Sequence, residues 1–99
     1  MTAADVWVAK DDGSDIIRAA AIAGVGRDYN GNITVRLSGG EQTAVTLVHA
    51  DVPDRPRAPD NFHRQLLKMA AQLSDTAEPA ILRPVFDAEL GWQWHTEHL

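Results

Sequence analysis

The stretch Val25-Gly26-Arg27-Asp28-Tyr29-Asn30-Gly31-Asn32-Ile33-Thr34-Val35 decides the fold. Apolar and polar residues alternate around Asn30-Gly31, the mark of two strands joined by a tight turn. Loop length then fixes the register. A two-residue loop would pair Ile33 with Asp28 and Val35 with Gly26, mixing apolar with polar. A three-residue loop, Tyr29-Asn30-Gly31, pairs Val25 with Val35 and Ala23 with Leu37. It also puts Gly31 at the left-handed position of a type I turn with a bulge. The second register is the expected one.

Downstream, a loop of Gly39-Gly40-Glu41 pairs Val35 with Val45 and Ile33 with Leu47. One sheet face then carries Ala23, Val25, Ile33, Val35, Leu37, Val45 and Leu47, while Thr34, Arg36, Ala44 and Thr46 form a wetter opposite face. Upstream, Val6 to Lys10 reads as a first strand and Asp11-Asp12-Gly13-Ser14 as its turn. A four-residue loop sets Lys10 against Asp15, Val8 against Ile17 and Trp7 against Arg18, where a cation–π contact is within reach.

Between these hairpins lies an ambiguous run. Residues 15–23 contain good helix formers, with Ser14 as a cap and Gly24 as a stop. Both neighbours are strands, however. The expectation is a strand broken near Ala19 to Ala21 that resumes from Ile22 to Asp28, with the helix as the competing reading.

Residues 51–60 form a connector in which Pro53, Pro56 and Pro59 recur every third residue, as in a polyproline II edge. Asp60 is the expected N-cap of a helix over 61–74. Phe62, Leu66, Met69, Ala70 and Leu73 keep helical spacing, Leu67 widens the stripe, and the helix should lie across the apolar sheet face. The chain then reads as extended from 80 to 95, with Pro84 demoting that run to an edge or a bulge. The fold expected is α+β: an antiparallel four-stranded β-meander, one packed α-helix and a C-terminal extended segment, in a single domain over 1–99.

Composition bounds the function. The chain has 99 residues, of which 44% are hydrophobic and 23% charged, with a net charge of -5. That is an ordinary globular balance, and about two-thirds of the unfolded surface is buried at this size. The absence of cysteine excludes a disulfide framework, a thiolate metal site and a cysteine nucleophile. Scattered Arg and Lys, each near an acid, argue against phosphate binding and so against nucleic acid. Ile16 to Gly26 is too short to span a bilayer, which takes about 20 residues. No positively charged leader precedes an apolar run, so a cytoplasmic protein without membrane contact is expected.

Chemical signatures are weak. Gly24-Val25-Gly26 opens like a dinucleotide-binding loop, but Tyr29 stands where the third glycine belongs and a hairpin follows where a helix is needed. His95-Thr96-Glu97-His98 has zinc-like spacing on a helix, with His49 or His63 as further ligands, against the plainer reading of a solvated tail. His63 should be a border residue of the helix. Ser14, Ser38 and Ser74 sit where hydroxyls cap backbone groups. The twice-repeated Pro-x-x-Pro could dock in an aromatic groove, although a structural link is the simpler use.

Tryptophan is the sharpest clue. Trp92 and Trp94 share one face of a terminal strand, and Trp7 lies on the sheet face away from the helix. These three are the candidate partner-binding residues, because tryptophan is enriched in interface hot spots; the competing use is a small internal core. No catalytic residue, cofactor or metal is assigned. The expected function is a non-enzymatic protein–protein interaction or regulatory module whose partner is another protein or a second copy of itself, as a homodimer through an edge strand or the tryptophan face. The alternatives are an immunity or inhibitor protein, and a small histidine-dependent enzyme or metal-binding factor using His49, His63, His95 or His98.

Overall fold

The Asp12-Gly13 turn folds β1 (Val6–Ala9) back on β2 (Ile16–Arg18) in the expected register, Trp7 opposite Arg18 and Val8 opposite Ile17. Gly13 adopts φ +73°, and the Asp12 carboxylate accepts the Ser14 N–H at 2.9 Å. The structure is a computed structural model and describes residues 5–38, 43–50, 56–75 and 79–98. A single 3₁₀ turn, Ala19–Ala21, ends β2 and redirects the chain into β3 (Ile22–Arg27). The broken-strand reading of this run therefore holds, and the helical one does not.

The hairpin of β3 with β4 (Ile33–Leu37) pairs Val25 with Val35, and β5 (Thr43–Val48) pairs Val45 with Val35. Gly31 has φ +89° and its N–H reaches the Asp28 carbonyl, as the three-residue loop requires. Two positions depart from the expected register. Leu37 faces Ile22 rather than Ala23, because Ala23 bulges out and is exposed. Ile33 faces Val48 rather than Leu47, because Leu47 is the extra residue of a second bulge. Bulges of this kind let two residues oppose one and turn a backbone group away from the ladder. The Gly39-Gly40-Glu41 turn lies outside the described residues, as do residues 51–55 of the connector with Pro53.

The Asp28 carboxylate organises the β3–β4 turn. It accepts the backbone N–H of Asn30 and of Asn32 and the Asn32 side-chain amide, each at 2.9 Å. The Asn32 side-chain bond, followed by its backbone bond, holds this carboxyl below its ordinary value of 3.8. A lowered folded-state pKa contributes stability above the ordinary carboxylate range and loses it as pH falls through that range. Asp28→Asn is therefore expected to flatten the acid limb of a stability–pH curve below about pH 4. An unchanged acid limb would contradict this role.

The meander is not a single sheet. β3, β4 and β5 form a three-stranded sheet by themselves, while β1 and β2 join β6 (Ala80–Asp87) and β7 (Gly91–His98) in a four-stranded sheet of order β2-β1-β6-β7. β6 runs parallel to β1, pairing Ala80 with Val6 and Leu82 with Val8, and antiparallel to β7. The C-terminal segment is thus a hairpin that completes a mixed sheet, and it extends to His98 rather than ending at 95.

Pro84 sits inside this hairpin without breaking it. The Ala80 N–H bonds toward the β1 side, to the Asp5 carbonyl at 3.1 Å. Strand alternation turns the Pro84 nitrogen the same way, past the last pair with β1 at Val8 and Leu82. The missing donor falls where that side of β6 is already an edge.

Helix α1 (Phe62–Ser74) starts one residue later than Asp60 would dictate. Asn61 occupies the N-cap position without a side-chain cap bond, and the Phe62 N–H reaches the Pro59 carbonyl at 3.0 Å. Asp60 instead faces Arg27 at 3.4 Å. Phe62 and Leu66 are buried, and Met69, Ala70 and Leu73 pack partly, but Leu67 is 55% exposed and lies off the stripe. One core joins helix and both sheets: Phe62 and Leu66 with Val8, Leu82, Ile33, Val35 and Leu47. No helix among the described residues is long and apolar enough to cross a membrane.

Candidate functional site

The three tryptophans divide by strand parity. Side chains alternate across a strand, so Trp92 and Trp94 share the inner face of the four-stranded sheet. Both are buried, at 6% and 5% exposure. Trp94 stacks on Phe62 with ring centroids 4.6 Å apart and donates its indole N–H to the Phe62 carbonyl at 2.9 Å. Trp92 tilts against Phe62 and Phe86 and donates to the Pro56 carbonyl at 2.8 Å. These rings belong to the main core and tie the connector and helix start to β7. Of the two uses open to Trp92 and Trp94, this chain by itself places both rings inside, with their indole N–H groups and faces engaged.

Trp7 points the other way and is only half-buried, with the Arg18 guanidinium 4.9 Å above its ring. Register alignment places four residues in one row across the outer face: Arg18 on β2, Trp7 on β1, Ile81 on β6 and Glu97 on β7. Ile16, 44% exposed, pairs with Ala9 beside this row. Arg83 reaches Glu97 at 3.4 Å, with side chains 45% and 58% exposed. An ion pair so exposed contributes little to stability. Helix and second sheet both pack on the inner face. On the outer face Ala9 and Ile81 are buried, at 1% and 8% exposure, while Trp7 is half-buried and Ile16, Arg18, Arg83 and Glu97 are exposed.

The histidines do not converge. His95 and His98 are three apart on a strand, which sends them to opposite faces and removes the spacing that suits a helix. Among the described residues no three His, Asp or Glu side chains are grouped to hold a metal ion. His95 lies 3.3 Å from the Gln93 side chain. His63 is half-buried in the first turn of α1, and its Nδ1 has no hydrogen-bond partner among the described residues.

His49 has an elaborated setting, which the sequence concealed. Its Nδ1 lies 3.2 Å from each oxygen of the Asp11 carboxylate, and its backbone N–H donates to Asp11 Oδ2 at 2.8 Å. The Asp11 side chain is 6% exposed and the His49 ring 47%. The Asp11 N–H in turn donates to the Leu47 carbonyl at 2.7 Å, the residue bulged out of the β4–β5 ladder. A carboxylate behind an imidazole orients the ring, as in many general bases. Here the same atoms clasp the β1–β2 loop to β5, and the 38-residue separation hid them from any motif.

The remaining candidates are structural. The Ser38 hydroxyl donates to the Ala21 carbonyl and the Ser74 hydroxyl to the Ala70 carbonyl. Gly24 lies under the Arg36 side chain, whose guanidinium fills the space a Cβ would take. An open cleft of about 310 Å³ lies between the 3₁₀ turn and the end of α1, lined by Asp5, Val6, Arg18, Ala19, Ala70 and Ser74 among others. Its walls are mostly small and apolar, and Asp5 and Arg18 are the charged residues among them. Compared with protein-family models, with characterised proteins and with solved structures, the chain matches none.

Proposed function

We propose that the protein is a small, non-enzymatic, cytoplasmic protein-binding module whose docking surface is the outer face of the four-stranded sheet. The observation that carries this reading is the half-buried Trp7 under Arg18, flanked by exposed Ile16 on the sheet face turned away from the main core. An aromatic anchor beside an arginine, ringed by polar side chains, has the composition of an interface hot spot. The test is photo-crosslinking in cells with a benzophenone side chain at position 16 or at position 29. Tyr29 is fully exposed at a turn tip and serves as the comparison. Adducts from position 16 and none from position 29 are the expected outcome. Equal labelling from both, or none from either, would sink the proposal.

A second reading is an inhibitor or immunity-type protein. The net charge of -5 and the exposed acids Asp12, Asp28, Asp87 and Glu89 at three turns favour it. Acidic surfaces speed encounter with basic partners, and that effect fades with salt. Adducts from position 29 that disappear at high ionic strength would favour this reading over the first.

A further inference from the structure

The row across the outer sheet face is complementary to itself. It runs from cation to anion through an apolar middle: Arg18, Trp7, Ile81, Glu97, in which the two charged ends are exposed, Trp7 is half-buried and Ile81 is a low floor at 8% exposure. Consider a two-fold axis lying in the interface, parallel to the strands and between β1 and β6. It turns the row end for end. Arg18 of each copy then stands opposite Glu97 of the other, and Trp7 of each opposite Ile81 of the other. Exposed Ile16 comes over the far side of the sheet, toward the His95 ring. Sheets stacked face to face lie about 10 Å apart, a gap that paired Arg and Glu side chains can bridge and a tryptophan can fill.

We propose, resting on the reading that this face binds protein, that its occupant is a second copy of the chain in this two-fold arrangement. A symmetric interface must be complementary to itself, since each residue meets the image of the patch it belongs to. Most charged rows fail that condition by opposing like charges. This one meets it, because its two charged ends have opposite signs and lie on opposite edge strands. The arrangement also overcomes the general repulsion between two chains of net charge -5 by putting opposite charges in register. A foreign partner needs no such symmetry in the row.

Charge reversal tests it. Sedimentation or light scattering across a dilution series is measured for the wild type, Arg18→Glu, Glu97→Lys and the double variant, with thermal melting confirming that each is folded. The wild type should dimerise, and each single reversal should weaken the dimer about tenfold or more, since it acts at both symmetry-related contacts. The double variant should recover most of that loss relative to Glu97→Lys, which also loses its contact to Arg83 within its own chain. Should Arg18→Glu disturb Trp7, Arg18→Gln removes the charge with less change and should weaken the dimer in the same direction. A monomer at every concentration, or a dimer indifferent to both reversals, overturns the proposal. Crosslinks from position 16 to a foreign protein, from a chain that stays monomeric, would overturn the homodimer and leave the binding-module reading standing.

Discussion

Replacing Trp94 by alanine is expected to lower the stability of the fold by about 3–5 kcal/mol, the range for deleting a large buried aromatic. The ring is 5% exposed, stacked on Phe62 with an interplanar angle of 15°, and hydrogen-bonded to the Phe62 carbonyl. Truncation removes the packing and leaves a cavity between β7 and the first turn of α1. Domains of this size have about 5–15 kcal/mol in total, so the loss is a large share. At about 4–8 °C per kcal/mol, the melting temperature should fall by well over 10 °C. Trp94→Phe separates the contributions: it keeps much of the stack and loses the N–H donor, for about 1 kcal/mol from the hydrogen bond plus the smaller volume. Denaturant melts of both variants check this. A Trp94→Ala protein melting within a few degrees of wild type would show that the ring is not core.

The second large effect is expected at Asp11. Asp11→Ala should destabilise by about 2–3 kcal/mol, the scale for hydrogen bonds to a charged group together with a donor left unpaired. The carboxylate holds both the backbone N–H and the ring Nδ1 of His49, so its removal orphans the first and frees the second. Because the Asp11 backbone also bonds to Leu47, this residue is a polar link between the two sheets. His49→Ala should cost less, as the ring is half-exposed and the backbone N–H still finds the carboxylate. Hydrogen exchange supplies the local readout, with protection falling first at Asp11 and His49. Equal stability of Asp11→Ala and wild type would refute the clasp.

The two effects are expected to add. Trp94 fixes the helix start to β7, whereas Asp11 fixes the β1–β2 loop to β5, and their hydrogen-bond partners, Phe62 and His49, are different residues. Sites without common partners usually combine within about 0.5 kcal/mol. Both act through the fold and neither touches the outer-face row, so the oligomeric state of each variant should follow that of wild type wherever the chain is folded.

What the sequence determined by itself was local. Alternation and turn chemistry around Asp12-Gly13 and Asn30-Gly31 set Trp7 against Arg18 and Val25 against Val35, because hairpin register depends on a few adjacent residues. The helix and the break at Ala19–Ala21 were legible for the same reason. The tertiary structure alone decided how these pieces combine. The parallel pairing of β1 with β6 joins residues more than 70 positions apart, and no local pattern encodes it. That pairing splits the expected meander into two sheets and turns Trp92 and Trp94 inward while Trp7 stays at the surface. The bulge at Leu47 and the Asp11–His49 clasp arise where the β1–β2 loop meets β5, and burial against a distant partner settles such places rather than propensity.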